Sequence, residues 1–422
     1  MASKKPENIE IRSYQVGFGD CFLLTFKYAD GDRNVLIDFG SMRLPKSAKK
    51  NHMQKVAEQI KKDCKGSLDI VVATHRHSDH ISGFATNKKG TAPGNIIASC
   101  KPRLVIQPWT ENPRAKQGAK EAPMTAAQAF TSRLHNMEHV ASAAAATARI
   151  ARGVASEATV QRLDYIGRDN IKNRSAVENL MTMAKNNKGK NLYVNFGDKL
   201  PLSKILPGVK VHVLGPPSLK QSPEISAQRS TDENDFWHLQ ALAGIAAQGQ
   251  RGILFPKEAR RRTPIYARWL RYRLRRLRAD MMLSIVTILD DQMNNTSVIL
   301  LFEIGGKYLL FPGDAQFENW DYALKQKRVQ SLLKKVTVYK VGHHGSLNAT
   351  PKRMWRMFGR KGAAGKTNRL KSVMSTLENV HGCASRGTEV PRSKLVDALK
   401  AESDLTTTQS FAAAEISRVV RP

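Results

Sequence analysis

From Leu68 to Thr74 the chain is a nearly continuous apolar run, and the run stops at His75. That pattern, with almost no polar alternation, marks a strand buried on both faces. Such strands sit in sheets covered by helices, so this one run directs the chain towards an α/β architecture. The residues just after the run are equally constraining. Thr74-His75-Arg76-His77-Ser78-Asp79-His80 places three imidazoles and a carboxylate within six residues of the strand end. A tight loop there can turn alternate side chains towards one point. Imidazole with carboxylate is a donor set for zinc and other transition metals.

The flanking sequence supplies more of the same alternation. Ile9–Gly17, Cys21–Tyr28 and Asn34–Phe39 are β-rich runs broken at Gly19-Asp20 and Ala29-Asp30-Gly31. Met53–Lys62 has helical patterning, and Arg103–Gln107 reads as a strand. Further strands are expected at Asn191–Phe196, Val209–Leu214, Ser297–Glu303, Lys307–Phe311, Lys335–Val341 and Ser372–Ser375. Phe317–Lys327 and Pro391–Lys400 read as helices. Two stretches depart from this rhythm. Residues 109–189 are Ala-, Arg- and Asn-rich and helical in character, with Met124–Arg152 readable as one long helix. Residues 216–290 combine a polar loop with ten Lys and Arg between 257 and 278. The expectation is one domain over 1–422 carrying a helical insertion at 109–189 and a basic insertion at 216–290. No internal repeat is visible.

The H-x-H-x-D-H order resembles the signature of the metallo-β-lactamase superfamily, and other segments match it in the same order. Val16-Gly17-Phe18-Gly19-Asp20-Cys21 followed by Asn34-Val35-Leu36-Ile37-Asp38-Phe39-Gly40 resembles its opening strands. Leu310-Phe311-Pro312-Gly313-Asp314-Ala315 is similar to its later strand-end aspartate, and Lys340-Val341-Gly342-His343-His344-Gly345-Ser346 to its last histidine motif. With Asn294-Asn295-Thr296-Ser297-Val298, these details resemble most the nuclease-like domains related to the competence protein ComEC. The resemblance covers about 1–108 and 290–400 and leaves out both insertions.

That resemblance implies a four-layer αββα sandwich with helical insertions and two divalent metal ions, Zn or Mn. By position, His75 and His77 would hold the first ion, and Asp79 and His80 the second. Asp314 would bridge them, and His343 or His344 would complete the second site. Asp79 and His381 are the residues expected in the catalytic set. His381, after a late strand, would contact a substrate phosphate or protonate a leaving group. Asn295 and Ser297 would lie beside the metals at the substrate, shaping the loop rather than reacting. A further histidine often joins the first site. His135, His139, His212 and His238 are the candidates here, and none lies in a distinctive motif. Cations held this way lower the pKa of water and neutralise charge developing on a phosphoryl or carbonyl oxygen.

Other signals carry less. His135-Asn136-Met137-Glu138-His139 matches an inverted zinc-protease motif, but it is short and reads equally as helix surface. Gly17 and Gly19 lack the third glycine of a dinucleotide fingerprint. Tyr266, Trp269, Leu270, Leu274 and Leu277 share one face of a helix expected over Arg260–Arg278. Its arginines, with Arg271, Arg275 and Arg278 as the candidate contacts, suit phosphate oxygens. An anionic membrane surface or a plain solvated face are the other readings.

Charge fits a polyanionic partner. The 422 residues carry 68 Lys+Arg against 36 Asp+Glu, a formal charge of +32. Hydrophobic residues make up 41%, enough for a sizeable core and against wholesale disorder. Cys21, Cys64, Cys100 and Cys383 form no C-x-x-C pair, which points to a reducing compartment. The polar N-terminus offers no signal-peptide core, and no apolar stretch nears the ~18 residues of a membrane span. The resulting expectation is a cytoplasmic metal-dependent hydrolase, a phosphodiesterase or nuclease acting on nucleic acid. The alternatives are a hydrolase of a small anionic substrate such as a nucleotide, and a non-catalytic nucleic-acid-binding protein on the same fold.

Overall fold

Strand β1 (Asn8–Tyr14) alternates buried and less buried positions. Strand β2 (Cys21–Tyr28) is buried along almost its whole length. A tight turn at Gly31, φ +119°, folds β2 back on β3 (Gly31–Phe39) as an antiparallel hairpin. From β3 the order becomes parallel through β4 (Ile70–Val72), β5 (Leu104–Pro108) and β6 (Lys190–Val194). β13 (Ser417–Val420) pairs antiparallel with β1 and completes a seven-stranded mixed sheet, ordered β13-β1-β2-β3-β4-β5-β6. The computed structural model describes residues 5–112, 137–161, 163, 174–218, 220–222, 268–346, 350–380, 382, 389–412 and 414–422.

A second mixed sheet has six strands, ordered β12-β11-β10-β9-β8-β7. They are β7 (Lys210–Gly215), β8 (Ile299–Ile304), β9 (Lys307–Phe311), β10 (Val338–Lys340), β11 (Lys371–Met374) and β12 (Asp404–Thr407). β7, β8 and β9 run antiparallel, and β9 to β12 parallel. Inner-face residues of both sheets share one core: Phe22, Phe26, Ile37, Val72 and Ile106 from the first, Leu300, Phe302, Phe311, Val338 and Val373 from the second. The opposite face of the first sheet packs under helices His52–Asp63, Pro93–Ser99 and Arg174–Thr182. That of the second packs under Phe317–Lys325, Lys327–Leu333, Lys352–Met357 and Ser393–Glu402. The expected α/β class therefore holds, with two mixed sheets between helices.

The chain divides into two compact units. One comprises Met1–Gln117, Asn173–Ile225 and Met293–Pro422, and contains both sheets. The other comprises Gly118–Lys172 and Ser226–Gln292. The sequence expectation places its insertions at 109–189 and 216–290. In the second unit, Ala144, Ala148 and Ala151 of helix Met137–Ala151 pack with Leu163 and with Ala279 and Met282 of helix Arg268–Asn295. Residues 124–136 of the expected Ala-rich helix, and 260–267 of the expected basic helix, lie outside the described residues. The basic helix continues seventeen residues past its expected end at Arg278, to Asn295. Among the described residues no helix is long and apolar enough to cross a membrane.

The parallel strands place their C-terminal ends at one edge of both sheets, and loops leaving β3, β4, β9, β10 and β11 meet there. The edge is tied across the sheets: Val298 N, ahead of β8, donates to Thr74 O, just past β4, at 2.9 Å. In open α/β sheets this carboxyl edge is where ligands bind.

Candidate metal centre

β4 ends and the chain turns through His75 to His77, which precedes a single helical turn, Ser78–Ile81. That turn carries Asp79 and His80 into the edge. Two glycines let the neighbouring loops close on it. A Cβ at Gly40 would lie 2.4 Å from His80 N, and one at Gly19 would lie 2.8 Å from Asp79 O. Backbone can approach this closely only where no side chain stands. Arg76, between the two leading histidines, pairs with Glu111 at 2.6 Å and tethers the loop.

Donor atoms of Asp79, His80, Asp314 and His344 all lie within 4.8 Å of one another, and all four residues are buried. His75, His77 and Asp79 form a second such group. His75 Nε2 lies 3.0 Å from His77 Nδ1. His80 Nε2 lies 3.0 Å from Asp314 Oδ2, and His344 Nε2 lies 3.0 Å from Asp79 Oδ2. The six ligands expected from H-x-H-x-D-H, the strand-end aspartate and the histidine pair are thus brought together. Of His343 and His344, it is His344 whose donor atom joins this group. His344 is fully buried in the cluster. The His343 side chain is 28% exposed, with Nε2 4.0 Å from Asp314 and Nδ1 hydrogen-bonded to Ser346 at 2.9 Å.

Both buried imidazoles have one nitrogen fixed. His80 Nδ1 donates to Asp38 Oδ2 at 2.7 Å, and the same carboxylate accepts from Thr74 N and Thr74 Oγ1, both at 2.7 Å. His344 Nδ1 donates to the Ser375 carbonyl at 2.9 Å, and a carbonyl can only accept. Each ring therefore turns Nε2 into the cluster. An outer hydrogen bond that orients the inner nitrogen is the usual support of a metal-binding histidine. Asp79 Oδ1 is buried without a hydrogen bond, and Asp314 Oδ2 and His80 Nε2 are buried facing each other at 3.0 Å. Buried nitrogen and oxygen donors converging from two sheets, one of them unpartnered, fit a cation.

The electrostatics agree. Asp20, Asp38, Asp79 and Asp314 are buried together, with Lys340 the permanent cation among them. Burial would raise the Asp79 carboxyl, but His80 and His344 outweigh it and hold it well below the usual carboxylate range. Burial likewise opposes ionisation of Asp314, and His80, His343 and Lys340 bring it well down. Burial would lower His80, yet Asp314, Asp38 and Asp79 raise it well above the ordinary histidine value. His75 moves the other way, held low first by burial and then by His80 and His77. Burial would lower His344 too, but Asp79, Asp314 and Asp20 raise it, and a cluster that draws protons onto His80 and His344 is one that draws cations.

Comparison with protein-family models and with curated proteins finds no match.

Asn295 and Ser297 support the edge. Asn295 Nδ2 donates to Glu318 at 2.8 Å. Ser297 Oγ accepts from Asp314 N at 3.3 Å, and its carbonyl accepts from Asn319 at 2.8 Å. His212 is engaged by Glu303 at 2.8 Å on β7 and β8. His139 belongs to helix Met137–Ala151 of the second unit. Arg275 is half-buried and Arg278 exposed on helix Arg268–Asn295, which also carries Arg271. His381, His135 and His238 lie outside the described residues.

Three residues of the cluster stand in the quoted sequence segments but received no role there: Asp20, Asp38 and Lys340. Lys340 Nζ makes a very short ion pair with Asp20, lies 3.6 Å from Asp314 Oδ1 and donates to Gly313 O at 3.2 Å. Burial disfavours its charge, but Asp20 and Asp314 hold the ammonium well above its ordinary pKa. The available signal was local. Each is a charged residue embedded among apolar neighbours at a strand end, and a buried charge requires a partner.

Proposed function

We propose that this chain is a metal-dependent phosphodiesterase of the metallo-β-lactamase type, acting on nucleic acid. The observation that carries the reading is the Asp79, His80, Asp314 and His344 group beside His75 and His77, at the edge where loops of both sheets converge. In this reading the two sheets with outer helices are the αββα sandwich of that superfamily. Asp79, His80, Asp314 and His344 would hold one divalent ion, and His75 and His77, with Asp79 or Asp314 nearby, a second. Zn and Mn both suit these nitrogen and oxygen donors. Bound there, such ions supply Lewis acidity and a more acidic water.

The protein's own groups then have separable tasks. Asp38 and the Ser375 carbonyl hold His80 and His344 in the orientation that presents Nε2. Lys340 neutralises Asp20 and leaves Asp79 and Asp314 to face the ligand. His343, partly open to solvent and 4.0 Å from Asp314, would pass a proton to a departing oxygen. The +32 charge favours a polyanionic substrate over a small one.

The test is metal analysis of the purified protein, coupled to a hydrolysis screen of single- and double-stranded nucleic acid, cyclic nucleotides and a chromogenic phosphodiester. Bound Zn or Mn with phosphodiester cleavage is expected. Metal-free protein that takes up neither ion at neutral pH would refute the reading. Cleavage of nucleotides that is insensitive to salt would favour a small anionic substrate instead.

A further inference from the structure

The second unit displays a surface that the metal centre does not account for. Helix Arg268–Asn295 begins with eleven residues, 268–278, that include six arginines and no acidic residue. Four of its large apolar side chains here stand exposed. Trp269 is 60% exposed, Tyr272 49%, Leu274 57% and Leu277 56%. Arg273 and Arg276 are exposed among them. Among the described residues, Arg276 makes a long ion-pair contact with Asp280 at 4.0 Å.

The order of these side chains around the helix is informative. At about 100° per residue, Tyr272, Arg276, Trp269, Arg273 and Leu277 follow one another across an arc of roughly 140°. Aromatic and guanidinium groups therefore alternate on one face. Ala279 and Met282, which pack against the alanines of helix Met137–Ala151, fall outside that arc. A helix that lies on a membrane segregates its apolar stripe from its charges. Here Arg273 and Arg276 interrupt the stripe, so lipid would have to bury two cations with the aromatics. A partner with negative charges and flat π-faces at short intervals satisfies both residue types.

We infer that the exposed Tyr272–Arg276–Trp269–Arg273 face binds single-stranded nucleic acid. Bases stack on Trp269 and Tyr272, and Arg273 and Arg276 pair with the phosphates between them. In a duplex the base faces are already stacked on one another, so the face selects single strands. The inference rests on the polynucleotide part of the reading above and not on its metal chemistry.

The experiment uses the full chain with a chelator present, so that cleavage plays no part. Binding of a labelled oligothymidylate and of a duplex of the same length is followed by fluorescence anisotropy over a range of salt. The native protein should prefer the single strand. Replacing Trp269 and Tyr272 by Ala should weaken binding by about 5- to 150-fold for each lost stack. Trp269→Phe with Tyr272→Phe should restore most of it. Arg273→Gln with Arg276→Gln should reduce the log–log salt slope by about 0.7 per lost phosphate contact. All these side chains are exposed, and unchanged circular dichroism and melting would show that the fold is kept. Unaltered affinity in the alanine variant overturns the proposal, as does equal preference for duplex. Binding to phosphatidylserine vesicles that depends on Trp269 and Tyr272, without oligonucleotide binding, overturns it in favour of a lipid surface. A native protein that hydrolyses a chromogenic phosphodiester yet fails to bind the oligonucleotide overturns this inference alone.

Discussion

Lys340→Met tests whether the buried charge network holds the edge of the sheets together. Methionine keeps the length and apolar stem of lysine and deletes its charge. In the native protein the lysine side chain is 3% exposed, pairs with Asp20 and lies 3.6 Å from Asp314. The substitution leaves both carboxylates without their permanent cation. Breaking a buried pair from one side costs about 3–5 kcal/mol, because the remaining charge is neither solvated nor matched. At about 3 kcal/mol per molar urea, the unfolding midpoint should fall by roughly 1–2 M. Trp320, fully buried against the second sheet, reports the transition through its fluorescence. A chelator should be present, so that a bound cation does not take over the role of the ammonium. The pairing itself is read by adding Asp20→Asn. Asp20 and Lys340 are in contact, so the double variant should recover about 0.5–3 kcal/mol relative to the sum of the singles. A lysine variant within about 1 kcal/mol of native would refute the argument, and so would strict additivity; either means that Lys340 does not balance these carboxylates.

Asp38→Asn should lower Zn affinity about 10- to 100-fold, measured by competition with a chelating dye, because the amide cannot serve both His80 Nδ1 and Thr74. Normal affinity would remove Asp38 from the supporting set. His77→Ala should lose metal and hydrolysis together while melting at nearly the native temperature without metal; retention of both would place the ion elsewhere. The double change His135→Ala with His139→Ala should leave metal content and turnover intact, and loss of one bound ion would reassign a ligand to the second unit. Gly40→Ala should destabilise by about 1–3 kcal/mol and weaken metal binding, since its Cβ would meet the backbone between Asp79 and His80 at 2.4 Å. Unchanged chemical denaturation would show that the loops do not press together there.

Much of this was legible in the chain itself because it is local. The apolar run at Leu68–Thr74, the β2–β3 hairpin and the donor-rich loop after β4 declare themselves within a few residues, through periodicity and turn chemistry. β12 and β13 do not. They are short and only partly buried, and β13 gains its place by pairing with β1 some 400 residues away, as in Val420 opposite Ile11. Helix Arg268–Asn295 outran its expected end because Ala279 and Met282 found a partner helix. The site divides the same way. Residue types and spacing marked His75, His77, Asp79 and His80, since a donor set can be read as chemistry, while Asp314 came in through the resemblance alone. The choice of His344 over His343 depended on which ring faces Asp79 across the two sheets. The roles of Asp20, Asp38 and Lys340 came from opposite charges meeting between segments far apart in sequence. Burial demands that such charges be matched, and tertiary structure decides with what.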